Sequence, residues 1–394
     1  MLRFWLIVAA VLGAVMGLSA WALGAVVPVR WLARGRFAMA ALDILSLALF
    51  FGLIRWHDGI PEAWLRIGLI VFSMYWMTKL VLLALVGIAC ALRWLYRSFV
   101  ADAPLVPLDR ERRQLLKGAA AFPVAAMASG VYGGTAGRTG IALREFSVPV
   151  PGIDDALDGF CVAQISDVHL GLFFSLEEWR ALMEKAAATG ADALAVTGDL
   201  FDDDDMNAEA AKILDEFVPR FPKGIWFCYG NHEYFRDIEA IEAALAKTRV
   251  HVLRDEAALV MDGKRPLWFL GVDYPRSRSV FALDGTASME KAMRGVPEHA
   301  VKVLLAHHPD FFDAAAARGI ELALAGHTHG GQLGIFGVPL VPPVFKYMRG
   351  VYRVGITFGY VHSGNGSWFP YRLGCPPEIA VFALKKKNGI SKRY

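Results

Sequence analysis

The chain has 394 residues, 55% of them hydrophobic, and a mean hydropathy of +0.39. It is too long for one ordinary domain and too apolar to be soluble along its whole length. Lys and Arg number 41 against 38 Asp and Glu, but residues 1–140 hold 14 against 6 and the remainder 27 against 32. The basic excess thus belongs to the apolar N-terminal part, and the slightly acidic remainder argues against nucleic-acid binding through a broad basic face.

Three apolar stretches open the chain: Phe4 to Val29, Phe37 to Ile54 and Ile67 to Leu92. Each is near or above the roughly 20 residues that a helix needs to cross a bilayer. Asp43 and Lys79 interrupt the second and third, where charged groups face other helices or snorkel. A fourth, weaker span runs from Gly118 to about Gly137 and contains Pro123. It follows "ERRQLLKG", which resembles a twin-arginine export signal through Arg112–Arg113, or else is the basic flank of an ordinary span. Residues 1–140 are therefore expected to form a multi-pass membrane domain of about four helices. Nine Lys and Arg (Arg30, Arg34, Arg36, Arg93, Arg97, Arg110, Arg112, Arg113 and Lys117) fall in two of the intervening loops. Since such residues stay on the cytoplasmic side, the chain beyond residue 140 is expected outside, on the periplasmic face of a bacterial inner membrane. If the fourth stretch does not span, that part is cytosolic.

From residue 141 the pattern changes to short apolar runs alternating with helices, an α/β arrangement of buried sheet covered by helices. "FCVAQIS", "ADALAVT", "GIWFCYG", "PLWFLGVD", "VKVLLAHH" and "ELALAGH" read as strands. "SLEEWRALMEKAAATG" reads as a helix, with Ser175 and Glu178 as a capping box and Gly190 as its stop. Residues 141–394 form the second domain, ending in the basic "KKKNGISKRY", a solvated tail. Of the four cysteines, Cys90 lies in a span and Cys161 and Cys228 in strands; none forms a CxxC pair with another or with Cys375, so no disulfide or zinc site is assigned.

The chemistry gathers behind the strands. "SDVHLG" supplies Asp167 and His169, "TGDLFD" Asp199, "GNHEY" Asn231 and His232, "LLAHHPD" His307, and "GHTHGG" His327 and His329. Sites in open α/β sheets assemble at such strand ends, and imidazole with carboxylate suits Zn, Fe, Mn or Co without thiolate. In extended backbone the i, i+2 pairs Asp167/His169 and His327/His329 each point to one side. Any one cluster occurs by chance; five in this order do not.

This series resembles the calcineurin-like metallophosphoesterase superfamily over roughly residues 155–385. "GHTHGGQ" and "PYRLGCPPEIAVFAL" further resemble a membrane-associated branch that includes UDP-2,3-diacylglucosamine pyrophosphatase-like proteins. The resemblance implies two packed β-sheets flanked by helices and two divalent metal ions. Asp167, His169, Asp199 and His329 would hold one, and Asp199, Asn231, His307 and His327 the other. It implies hydrolysis of a phosphoester by a metal-bridging hydroxide, with His232 as the catalytic residue that stabilises the transition state or protonates the leaving oxygen. His307 rather than His308 fits the pattern of His, any residue, Pro.

Asp202 to Asp205 read as a solvated loop near the site that could repel highly charged substrates. Gln332 touches substrate or caps its turn; Arg372 and Glu378 read as structural. "SGNGSW" departs from the more glycine-rich family form, which leaves substrate contacts at Asn365 and Trp368 open. The apolar "LGIFGVPLVPPVFKYM" is either core or a contact for a lipid-linked substrate. The expected function is a membrane-anchored phosphoester hydrolase acting on a phosphodiester or a lipid-linked phosphate or pyrophosphate. The alternatives are a cytosol-facing UDP-sugar-lipid pyrophosphatase and, in another class, a non-catalytic membrane scaffold that retains a metal site.

Overall fold

A computed structural model describes residues 2–26, 29–99, 108–275, 281–335, 338–340, 345–367 and 369–386. Trp368, six residues of the apolar stretch after "GHTHGGQ" (336, 337 and 341–344) and most of the basic tail lie outside the described residues. The chain divides into two compact units, Met1–Ala136 with Phe369–Tyr371, and Gly137–Trp368 with Arg372–Tyr394.

The first unit is helical: Leu2–Val26, Val29–Arg55, Glu62–Phe99 and Leu108–Gly134. The basic residues expected in loops lie within these helices, which run past their apolar stretches. Among the described residues two stretches, Trp31–Arg55 and Glu62–Tyr96, are long and apolar enough to cross a membrane; Ala10–Leu23 is a shorter apolar one. By that measure the expected four spans become two. The "ERRQLLKG" segment and Pro123 share the helix Leu108–Gly134, whose charged first turns keep its average apolarity low. Asp43 and Lys79 meet between helices. The Asp43 carboxylate accepts from Lys79 Nζ and Tyr75 Oη, each at 2.5 Å, and both charged groups are buried.

The second unit contains fourteen described strands: β1 Ala142–Val150, β2 Cys161–Ile165, β3 Ala193–Thr197, β4 Ile225–Cys228, β5 His251–Val252, β6 Glu256–Met261, β7 Leu267–Gly271, β8 Val301–Leu305, β9 Leu322–Ala325, β10 Gly334–Ile335, β11 Val338–Pro339, β12 Gly350–Val354, β13 Thr357–Val361 and β14 Glu378–Lys386. One six-stranded sheet runs β1-β14-β2-β3-β4-β5 and a second β12-β13-β9-β8-β7-β6, while β10 and β11 form a separate hairpin. Both large sheets are mixed. β14 is antiparallel to β2, and β6 and β12 are antiparallel to β7 and β13.

The inner faces share one core, with Val162, Ala195, Trp226 and Phe382 from one sheet against Phe269, Val303, Leu324 and Phe358 from the other. The helices Leu176–Ala187, Asn207–Phe217 and Ile238–Leu245 cover the outer face of the first sheet. The helices Phe281–Ala292 and Phe311–Ala317 cover the second. This burial on both faces is why the central strands read as continuous apolar runs. The helix Leu176–Ala187 begins as its sequence dictates. The Ser175 hydroxyl accepts from the Glu178 amide at 3.2 Å, and the Glu178 carboxylate accepts from the Ser175 amide at 2.9 Å.

Candidate metal centre

Five loops meet at the C-terminal edges of adjacent strands, β2, β3 and β4 in one sheet and β8 and β9 in the other. Their backbone is not extended. Asp167, His169, Asp199, His327 and His329 have φ of 52°, 50°, 55°, 72° and 52°. This left-handed region costs a non-glycine residue about 1–2 kcal/mol, and Asp and His tolerate it better than most. The expectation that i, i+2 ligands converge because they sit in a strand is therefore wrong in its geometry. They converge because tight turns beyond the strand ends aim each side chain separately. Gly326 contributes by having no side chain: a Cβ there would run into Ser166 Oγ and Asp167 Oδ2.

The two histidines of "GHTH" part company. His327 Nδ1 lies 3.2 Å from His307 Nε2, whereas His329 Nε2 lies 3.0 Å from His169 Nε2 and 3.4 Å from Asp167 Oδ1. Asp199 stands between the two groups, its Oδ2 3.1 Å from His307 Nε2 and 3.8 Å from His169 Nε2. Ligand atoms of Asp167, His169 and His329 lie within 4.8 Å of one another, as do those of Asp199, His307 and His327, and those of His169, Asp199 and His232. His308 stands beside this group, its ring 5.0 Å from that of His327, and its Nδ1 accepts from the Asp310 amide at 3.2 Å.

The donor set fits divalent cations. Asp167 Oδ2 and Asn231 Oδ1 are buried and have no protein partner, a costly state for a polar atom unless an ion or water meets it. Asp199 Oδ2 and His307 Nε2 face each other at 3.1 Å, both buried. Burial opposes both charges, but each partner stabilises the other. The carboxyl is held far below the usual range and the imidazole is pushed up to about 10. Coordination by His307 would release its proton. Burial, together with His169 and Arg372, drives His329 well below its ordinary value, so it is neutral and ready to coordinate.

Asp202 and Glu233, which the sequence did not single out, help to frame these candidate ligands. Asp202 is no mere solvated residue. One of its oxygens lies 3.3 Å from His169 Nδ1, and the other takes His232 Nδ1 at 2.9 Å and Arg236 Nη2 at 2.7 Å. Burial lowers the His232 pKa, but the Asp202 hydrogen bond and the Asp199 charge outweigh it and raise the imidazole above its usual value. Only Asp204 and Asp205 of that acidic run are exposed.

Glu233, fully buried, accepts from the amides of Asp199, Leu200, Phe201 and Gly230 at 2.7–3.1 Å and so fixes two ligand loops to each other. The fourth residue of "GNHE" was the available signal. Buried Arg372 donates to the carbonyls of Ser363, Gly366 and Cys375, and its Nη2 lies 3.1 Å from His329 Nδ1. Asn365 bonds Ser166 N and the Glu378 carbonyl and is 1% exposed, so its role is structural. Gln332, also buried, takes a left-handed turn conformation. The rings of Tyr274 and Phe345 stand 5.6 and 5.0 Å from that of His327.

Residues 161–331 match the family described as calcineurin-like phosphoesterase. A metallophosphoesterase of Bacillus subtilis, YkuE, is 29% identical over 70% of this chain and 98% of its own length. A zebrafish (Danio rerio) transmembrane protein with a metallophosphoesterase domain is 29% identical over 61% of this chain and 57% of its own. A metallophosphoesterase of Helicobacter pylori is 31% identical over 57% of this chain and 59% of its own. The chain thus spans less than two thirds of the last two.

Proposed function

We propose that the calcineurin-like phosphoesterase domain matched by residues 161–331 hydrolyses phosphoesters at a two-metal centre held by Asp167, His169, Asp199, Asn231, His307, His327 and His329. The observation that carries this reading is the Asp199 carboxylate standing between two separate imidazole groups, His307 on one side and His169 on the other. Bound divalent ions would lower the pKa of water and take up charge on the phosphoryl oxygens.

The remaining work falls to the chain. Asp202 accepts from His232 Nδ1, orients the ring and holds its proton. His232 then donates from its other nitrogen to the leaving oxygen as the ester bond breaks. Glu233 keeps the Asp199 and Asn231 loops in register. Two treatments of the purified full chain test this. A chelator should abolish hydrolysis of a model diester and Mn, Zn, Fe or Co restore it. His232→Ala should keep its metal yet lose kcat by roughly 10²–10⁴-fold. Activity indifferent to chelation, or an unchanged kcat in the variant, contradicts the reading.

The same reading places the enzyme on a membrane, anchored by Trp31–Arg55 and Glu62–Tyr96 and, if all four helices span, with the hydrolase outside. Large apolar side chains such as Ile44, Leu45, Trp64 and Val71 are exposed on these helices, as lipid-facing residues are. The vertebrate relative named a transmembrane protein is in keeping with it. Substrate is then a phosphoester within reach of that surface.

A further inference from the structure

Described residues on either side of a small hairpin after the candidate ligands stand near the centre. Before it, Gln332 directly follows the turn of His329; after it, the Phe345 ring packs 5.0 Å from His327 and 5.2 Å from His308. Between these points β10 and β11 form an antiparallel hairpin in which Ile335 pairs with Val338. Directly opposed residues share a face. The Leu340 amide donates to the Leu333 carbonyl at 2.8 Å, which continues the register by one pair and brings Leu340 onto that same face. The other face is tied down. Gly334 is buried, and a Cβ there would stand 2.8 Å from Cys375 Sγ. Ile335, Val338 and Leu340 are 51%, 66% and 58% exposed. A short hairpin near the centre thus presents a continuous aliphatic face to solvent, a pattern that marks an interaction surface.

We propose that this face contacts the hydrocarbon boundary of a lipid bilayer and holds the metal centre at the headgroup layer. The occupant follows from the rest of the chain. The described residues of this face, Ile335, Val338 and Leu340, are aliphatic, without the aromatic or Arg anchors common where a water-soluble partner packs, and the same polypeptide has two helices of membrane-spanning length and apolarity. The proposal rests on the membrane-anchored reading. With the hairpin seated, phosphoesters of the lipid headgroup layer become the favoured substrates over those free in bulk water.

Depth measurement by spin labelling tests both layers of this account separately. The full chain, with Cys90 and Cys161 replaced by Ser, is labelled in turn at Val338→Cys, Val71→Cys and Ile356→Cys and placed in phosphatidylcholine–phosphatidylglycerol bilayers. All three positions are exposed in the structure, so the labels need no core rearrangement; retained hydrolysis of a soluble diester shows that each chain is folded. The expected result is labels at 338 and 71 open to oxygen and shielded from a water-soluble nickel chelate, with the label at 356 open to nickel. A label at 338 as nickel-accessible as that at 356, with 71 shielded, overturns the hairpin proposal and leaves anchoring standing. Nickel access at 71 overturns the anchoring, and the proposal with it.

Discussion

Asp202 is where separate demands meet in one carboxylate. It touches the candidate ligand His169, the candidate acid His232 and the exposed Arg236. Asp202→Asn cannot accept from both imidazoles with the same oxygens and presents an amide proton to one of them. Partners of this kind are worth about 10–100-fold in activity or metal affinity, and kcat should fall by that range. Because Asp202 helps to raise the His232 pKa, its loss lowers that value. An acid works only while protonated, so the alkaline decline in kcat should move to lower pH. A pH–kcat profile with an unshifted alkaline limb would remove Asp202 from the mechanism. In the sequence this residue was hidden by its neighbours, since four successive aspartates look equivalent. What singles it out is the left-handed turn at Asp199 followed by the pairing of Phe201 with Leu170, which turns the next side chain inward.

At the scale of the element, strand ends and caps were legible because their signals are local. The Ser175 box, the runs that became β2, β3, β4, β7, β8 and β9, and the polar clusters behind five of them all appear where spacing and residue type put them. The edge strands were not legible. β6 and β12 have mixed burial, and the two residues of β5 are exposed and half-buried. Their periodicity is accordingly weak, and only pairing with a neighbour defines them. β1 and β14 join residues more than 200 apart in sequence, which no local pattern reports.

The helical pair Val29–Arg55 and Glu62–Phe99 poses the same question about Asp43 and Lys79. Each alone looks like a flaw in an apolar span; together they close a buried ion pair. Removing one partner leaves the other charge stranded, at a cost of about 3–5 kcal/mol, whereas replacing both can be neutral. Lys79→Met should therefore lower the thermal stability of the full chain in detergent, and Asp43→Leu with Lys79→Met should recover most of it. Equal destabilisation in the single and double variants would argue that the pair contributes no coupling.

Across the whole molecule, charge and apolarity divide the chain near the boundary between its two compact units. In the membrane-anchored reading, the side on which the hydrolase works follows from whether the helix Leu108–Gly134 spans. If it does, the nine Lys and Arg of residues 30–36 and 93–117 put the C-terminus outside, and an alkaline phosphatase fused after residue 394 is active while a green fluorescent protein is dark. The reverse pattern places the domain in the cytosol and favours the UDP-sugar-lipid pyrophosphatase reading.

The most direct test of the account is the metal content of purified Asp199→Asn beside the unaltered chain and Asn231→Ala. Asp199 alone is assigned to both metals, and its carboxylate stands between His307 and His169. Elemental analysis should find close to two divalent ions per unaltered chain, a partial loss in Asn231→Ala and the larger loss in Asp199→Asn. Close to two ions retained in Asp199→Asn would contradict the shared-carboxylate centre.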